Sequence, residues 1–102
     1  MIEHCVFCDI RPDAAPEALD NVFQRLGSLL AIVDGMVDFR SGPNRDYENK
    51  TARYSHGFVC TFRDRDAHLA YERHPVHAAA GRDLVALCTG GYDGITVFDL
   101  EV

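Results

Sequence analysis

Two periodicities divide the chain. From Ile2 to Ile10, IEHCVFCDI, apolar residues fall on both alternate sets of positions: Ile2, Val6, Cys8 and Ile10 on one, Cys5 and Phe7 on the other. A period of two predicts a strand, and a strand apolar on both faces is covered on both faces. From Leu19 the spacing lengthens. Leu19, Val22, Phe23, Leu26, Leu29, Leu30 and Val33 follow the i, i+3, i+4, i+7 rhythm of an amphipathic helix. Pro16 and Glu17 suit its first turn, Asp13 or a neighbour is placed to cap it, and Gly35 is placed to end it.

The rest of the chain alternates in the same way. Residues 36–41 predict a short strand, and SGPNRDYENKTARY reads as an exposed loop because of its Gly, Pro and Asn. Residues 55–63, SHGFVCTFR, predict a third strand, with His56, Phe58, Cys60 and Phe62 on one face and Gly57, Val59 and Thr61 on the other. Asp64 or Asp66 caps a second helix that runs to about His74. Pro75 cannot continue that helix, yet it suits the first position of a new one, so a break at His74 and a further helical segment over 75–87 follow. TGGYDG is a turn, and residues 93–101, DGITVFDLE, predict the last strand.

The order β-α-β-β-α-β, with the second helix broken, is the split βαβ of the ferredoxin-like fold. It implies one α+β domain over residues 1–102, an antiparallel sheet with helices on one face. The other sheet face is apolar and has no helix left to cover it. A homodimer joined through that open face, a dimeric α/β barrel, is the economical solution.

Composition removes several function classes. The formal net charge is −6, with ten basic residues scattered among sixteen acidic ones, which argues against nucleic acid. Residues 55–62 do not match the basic–aromatic pattern of an RNA-binding ferredoxin-like domain either. No run approaches the ~18 apolar residues of a membrane span, and MIEHCVFCDI lacks the basic start and apolar run of a signal peptide. A cytoplasmic protein is expected. CVFC is formally a C-x-x-C pair, but on a strand Cys5 and Cys8 point to opposite faces. The four cysteines therefore read as reduced, buried thiols and not as a metal or redox site.

Candidate chemistry concentrates in HLAYERHPVH, residues 68–77. His77 lies in the first turn of the helix opened by Pro75, where the dipole disfavours imidazolium, and His77, Ala80, Leu84 and Cys88 share one helical stripe. A neutral, half-buried imidazole is what a general base requires; the alternative is a histidine that only braces the junction. Tyr71 shares a face with Ala67, Ala70 and His74, so its hydroxyl either assists a substrate oxygen or packs in the core. His4 and His56 fall on the helix-facing parity of their strands but at opposite ends of the sheet, on the order of 15–20 Å apart by strand rise. They cannot share an ion, and no metal site is expected. His68 reads as solvent-facing and His74 as a brace at the break.

IEHCVF, YSHGFVCTFRDRDAHLAYERHPVHAAA and the FD near the end together resemble the stress-responsive dimeric A/B barrel (Dabb) family. The specific part is the His-containing strand followed by Tyr71, His74, Pro75 and His77. The resemblance implies a dimeric α+β barrel. It extends to the plant polyketide cyclases of the olivetolic acid cyclase type, which would put a catalytic pair on Tyr71 and His77 and further pocket histidines on His4 and His56. Leu26 stands where that branch has an aromatic hydroxyl, and AAAGRDLVALCTGG replaces its aromatics. Two functions follow as expectations. One is a cofactor-free cyclase or lyase acting alpha to a carbonyl, or a binder of a small hydrophobic carbonyl compound, with Phe23, Leu26 and Phe58 among the pocket walls. The other is a non-enzymatic stress-response barrel.

Overall fold

His4, Val6 and Cys8 are buried while the residues between them are only half-covered, so one parity of β1 (Ile2–Cys8) faces a helical layer, as its apolar spacing demands. The computed structural model describes all 102 residues. After β1 come α1 (Pro16–Ser28), β2 (Met36–Pro43), β3 (His56–Phe62), α2 (Arg65–Arg73), α3 (Pro75–Leu87) and β4 (Ile95–Glu101), with 3-10 turns at Leu29–Ala31 and Gly91–Gly94. The four strands lie in the order β2-β3-β1-β4, all neighbours antiparallel. This is the ferredoxin-like α+β fold, with the three helices on one face.

The predicted elements are present, and their ends moved for identifiable reasons. Asp13 does not cap α1: Ala15 occupies the cap position without a side-chain hydrogen bond, and Pro16 stands at the first helical position. The helix tightens into a 3-10 turn at Leu29 well before Gly35, whose φ of +86° carries the chain into β2. A Cβ built on Gly35 would lie 2.7 Å from that of Ala67, so the close approach as well as the dihedral selects glycine. The first strand stops at Cys8, leaving Ile10 a single bridge to Cys88. The last strand begins at Ile95, because residues 91–94 are spent in the turn.

The break between α2 and α3 is built by side chains. Asp64, not Asp66, caps α2 by accepting from Ala67 N at 2.9 Å. His74 adopts extended angles, φ −67° and ψ 136°, as a residue before proline prefers. Its Nδ1 accepts from Val76 N at 3.1 Å and so caps α3.

Val22, Leu26, Leu29, Cys8, Cys60, Phe62 and Tyr71 form the fully buried centre between sheet and helices. Only part of β4 is roofed: Val97 points to the helical side yet remains 46% exposed. On the opposite face, Phe98 and Leu100 are 56% and 54% exposed. No helix is long and apolar enough to cross a membrane.

Candidate functional site

Where the helices stop short of β4, a cleft of about 580 Å³ opens between α3 and the sheet. Its walls are apolar, with Val6, Leu26, Phe58, Leu84, Ile95 and Val97, and its polar groups are His4, Glu72, His77, Arg82 and Asp99. A largely apolar cleft with a few converging polar groups is the usual form of a small-molecule site.

His77 enters it from the first turn of α3, and its ring meets Tyr71 edge-on, the centroids 4.6 Å apart and the planes at 60°. Burial is the main cause that pulls its pKa below the ordinary histidine value, with Glu72 opposing and His4 assisting. The imidazole is therefore neutral near pH 7, the state that accepts a proton.

Tyr71 stands behind His77 and does not line the cleft. It is completely buried, and the Cys60 thiol donates to its hydroxyl at 3.7 Å. Burial holds its phenol far above the ordinary range. As placed, the hydroxyl meets the buried Cys60 thiol, and the ring packs edge-on against His77.

Two further groups meet beside this pair. His4 Nδ1–H donates to Asp99 Oδ1 at 2.6 Å, across the β1–β4 pairing in which His4 and Asp99 stand opposite one another. His68, expected in solvent, is 8% exposed, and its ring centroid lies 4.6 Å from that of His4. The expectation failed because α2 turns Ala67, His68 and Tyr71 inward together. Glu72 Oε1 lies 3.0 Å from His68 Nε2 but off the direction of an N–H, so that buried nitrogen has no hydrogen-bond partner. Burial, then the neighbouring His4, lowers the His68 pKa. One ligand atom from each of His4, His68 and Asp99 falls within 4.8 Å of the others.

Of the residues nominated for a pocket, His4, Leu26 and Phe58 line the cleft with His77; His56 and Phe23 do not. His56 pairs with Cys8, four residues along β1 from His4 or roughly 13 Å by strand rise, and its Nδ1 shares a hydrogen with Ser55 Oγ at 2.9 Å. Phe23 packs edge-on against Phe58 inside the core. Asp99, half of the FD pair that resembles the family, is a carboxylate on the same parity as Ile95 and Val97 and lines the cleft with them. The cysteines are free; Cys5 lies on the open face and Cys8 on the helical one. Burial pushes the Cys8 and Cys60 thiols up to about 12, so neither is a thiolate at neutral pH.

A larger concavity, about 770 Å³, lies on the open sheet face among Phe7, Arg40, Tyr54, Val59, Thr96 and Phe98. It holds no histidine, and we place the candidate chemistry in the smaller cleft, where titratable groups converge.

Comparison with known proteins agrees with this architecture. The sequence profile of the family described as Stress responsive A/B Barrel Domain matches residues 2–102. A stress-response A/B barrel domain-containing protein of Arabidopsis thaliana is 24% identical over 98% of this chain and 88% of its own length. The crystal structure of a dimeric ferredoxin-like protein of unknown function from Jannaschia superposes with a TM-score of 0.94 at 44% identity, covering 99% of this chain and 98% of that one. The hydroxynitrile lyase of Passiflora edulis shares the fold, with a TM-score of 0.81 at 16% identity over 99% of this chain and 92% of its own.

Proposed function

The chain belongs to the stress-responsive A/B barrel (Dabb) family, and from that premise we propose that it is a homodimer whose cleft takes up a small apolar carbonyl compound and removes a proton from the carbon beside the carbonyl. The observation that carries this reading is His77: a half-buried imidazole, held neutral by burial, in the wall of an apolar cleft. The C–H bond breaks, its electron pair passes into an enolate, and the proton rests on the imidazole until it is returned. Arg82, also on the cleft, is the cation available to the enolate oxygen. Tyr71 acts as a positioning residue through its ring contact with His77. His4, Leu26 and Phe58 contact the bound compound. That a hydroxynitrile lyase shares the fold supports catalysis on this scaffold.

Dimerisation through the open sheet face is part of the same proposal, supported by the exposed Phe98 and Leu100 and by the dimeric Jannaschia protein. Four free cysteines fit a reducing compartment, and we assign the protein to the cytoplasm.

Deuterium uptake at the alpha carbon of a medium-chain aliphatic ketone, followed by NMR in D₂O, tests the chemistry directly. The wild type should accelerate exchange, and His77→Ala should lose about 10²-fold or more of that acceleration. Absence of acceleration across a series of chain lengths would reject proton abstraction. One observation favours a second reading, a non-enzymatic stress-response barrel: the Tyr71 hydroxyl is committed to Cys60 and not to the cleft. Ketone binding without exchange would favour it.

A further inference from the structure

We propose that His4, His68 and Asp99 form a binding site for a divalent transition metal of the zinc or cobalt type, at the inner end of the cleft. Their chemistry suits such an ion: two imidazoles and one carboxylate are the ligand types that zinc accepts in sites with an open position.

Three observations place the site. The first is proximity: one ligand atom of each residue lies within 4.8 Å of the others, although they come from β1, α2 and β4. The second is an orphan. His68 Nε2 is buried with no hydrogen-bond partner, even though a carboxylate oxygen of Glu72 sits 3.0 Å away. A buried imidazole nitrogen left unbonded costs stability unless something occupies its lone pair. A metal ion beside it does so. The third is access. His4, Glu72 and Asp99 line the cleft, so an ion held there would be reached from solvent and would keep a position open toward a bound molecule.

The geometry needs modest adjustment. In a tetrahedral site with bonds of ~2.0–2.1 Å, ligand atoms stand about 3.3–3.4 Å apart. Separations, which reach at most 4.8 Å, must settle near that value, and the 2.6 Å between His4 Nδ1 and Asp99 Oδ1 must open. The Asp99 side chain is 45% exposed and free to turn. The ion takes the place of the hydrogen between Nδ1 and Oδ1, and the imidazole proton moves to Nε2 of His4. Sequence spacing gives no hint of the site, because the three residues meet only when β4 closes beside β1 and α2 turns His68 inward. It does not rest on proton transfer by His77 and stands if that residue is inert.

The test is metal binding, read by spectroscopy and not by turnover. The full chain, freed of metal by a chelator and dialysed, is titrated with Co²⁺ alone and followed in the visible region. One equivalent per chain should give ligand-field bands, displaced by one equivalent of Zn²⁺. Asp99→Asn and His68→Gln should each weaken Co²⁺ binding at least tenfold, while His56→Gln, at the other end of the sheet, should bind as the wild type does. Circular dichroism confirms that each variant is folded. Absence of saturable Co²⁺ bands in the wild type overturns the proposal, as does unchanged affinity in both ligand variants or equal loss in His56→Gln.

Discussion

His4 and Asp99, separated by 95 residues, are joined by a 2.6 Å hydrogen bond from Nδ1–H to Oδ1 that ties the last strand to the first. The imidazole is 9% exposed and the carboxylate 45%. A charge-assisted bond of this kind stabilises by roughly 1.5–3 kcal/mol when buried, and the exposed carboxylate reduces that figure. Asp99→Ala should therefore lower the unfolding free energy by about 1 kcal/mol at pH 7 and low salt, and Asp99→Asn by less. Urea denaturation checks this. An unchanged midpoint for Asp99→Ala would mean that the bond does not persist in solution.

Stability should also depend on pH in a defined direction. His68 and His77 both have folded-state pKa values below the ordinary 6.5, mainly through burial. Between each lowered value and 6.5, the unfolded chain binds protons that the folded one refuses, so stability rises with pH across that window. The contribution is complete above about pH 7 and falls away as the pH drops below 6.5. Urea melts at pH 7 and pH 5 should show the loss, and the double variant His68→Gln/His77→Gln should show a shallower one. An equal slope in that variant would assign the pH response elsewhere.

Tyr71 separates packing from chemistry. Its ring is fully buried against Phe62 and His77, whereas its hydroxyl meets only a thiol, a weak donor. Tyr71→Ala should cost about 3–5 kcal/mol by cavity formation. Tyr71→Phe should cost less than about 1 kcal/mol and leave the His77 imidazole resonances where they are. If alpha-proton exchange occurs, Tyr71→Phe should keep it within a few-fold. A hundredfold loss in Tyr71→Phe would instead give the hydroxyl a direct part in the reaction.

Local pattern made the frame legible. The period-2 runs, the 3.6-residue stripe from Leu19 and the proline break each report on neighbours close in sequence, and the fold followed from their order. The cleft was legible only in part. His77 and Leu26 could be placed because helical spacing fixes which way a residue faces. His68 was misplaced because its position on a short, mostly polar helix does not say how that helix rolls on the sheet; Phe62 and His4, brought beneath it by β3 and β1, decide that. Asp99 stands out in the sequence only as half of the family-like FD pair, because a lone acid on a strand acquires a role only from its partner across the sheet, which is His4.

Strand parity on β4 allows the proposed dimer and the cleft to be tested independently. Phe98 and Leu100 point to the open face, where Phe98 lies 6.3 Å from Phe7 by ring centroids, while Val97 points to the cleft. A stable interface buries on the order of 1,200–2,000 Å², and a charge at its apolar centre leaves an unpaired ion to be desolvated. Phe98→Asp should therefore convert the dimer to a species near the chain mass of 11.4 kDa in sedimentation equilibrium at micromolar concentration. Val97→Asp, one residue away and already 46% exposed, should leave the dimer intact and weaken ketone binding in the cleft. A wild type that is monomeric, or a Phe98→Asp variant as dimeric as the wild type, would remove the open face as the interface. Equal dissociation by both substitutions would mean that β4 contributes its edge and not its face to the contact.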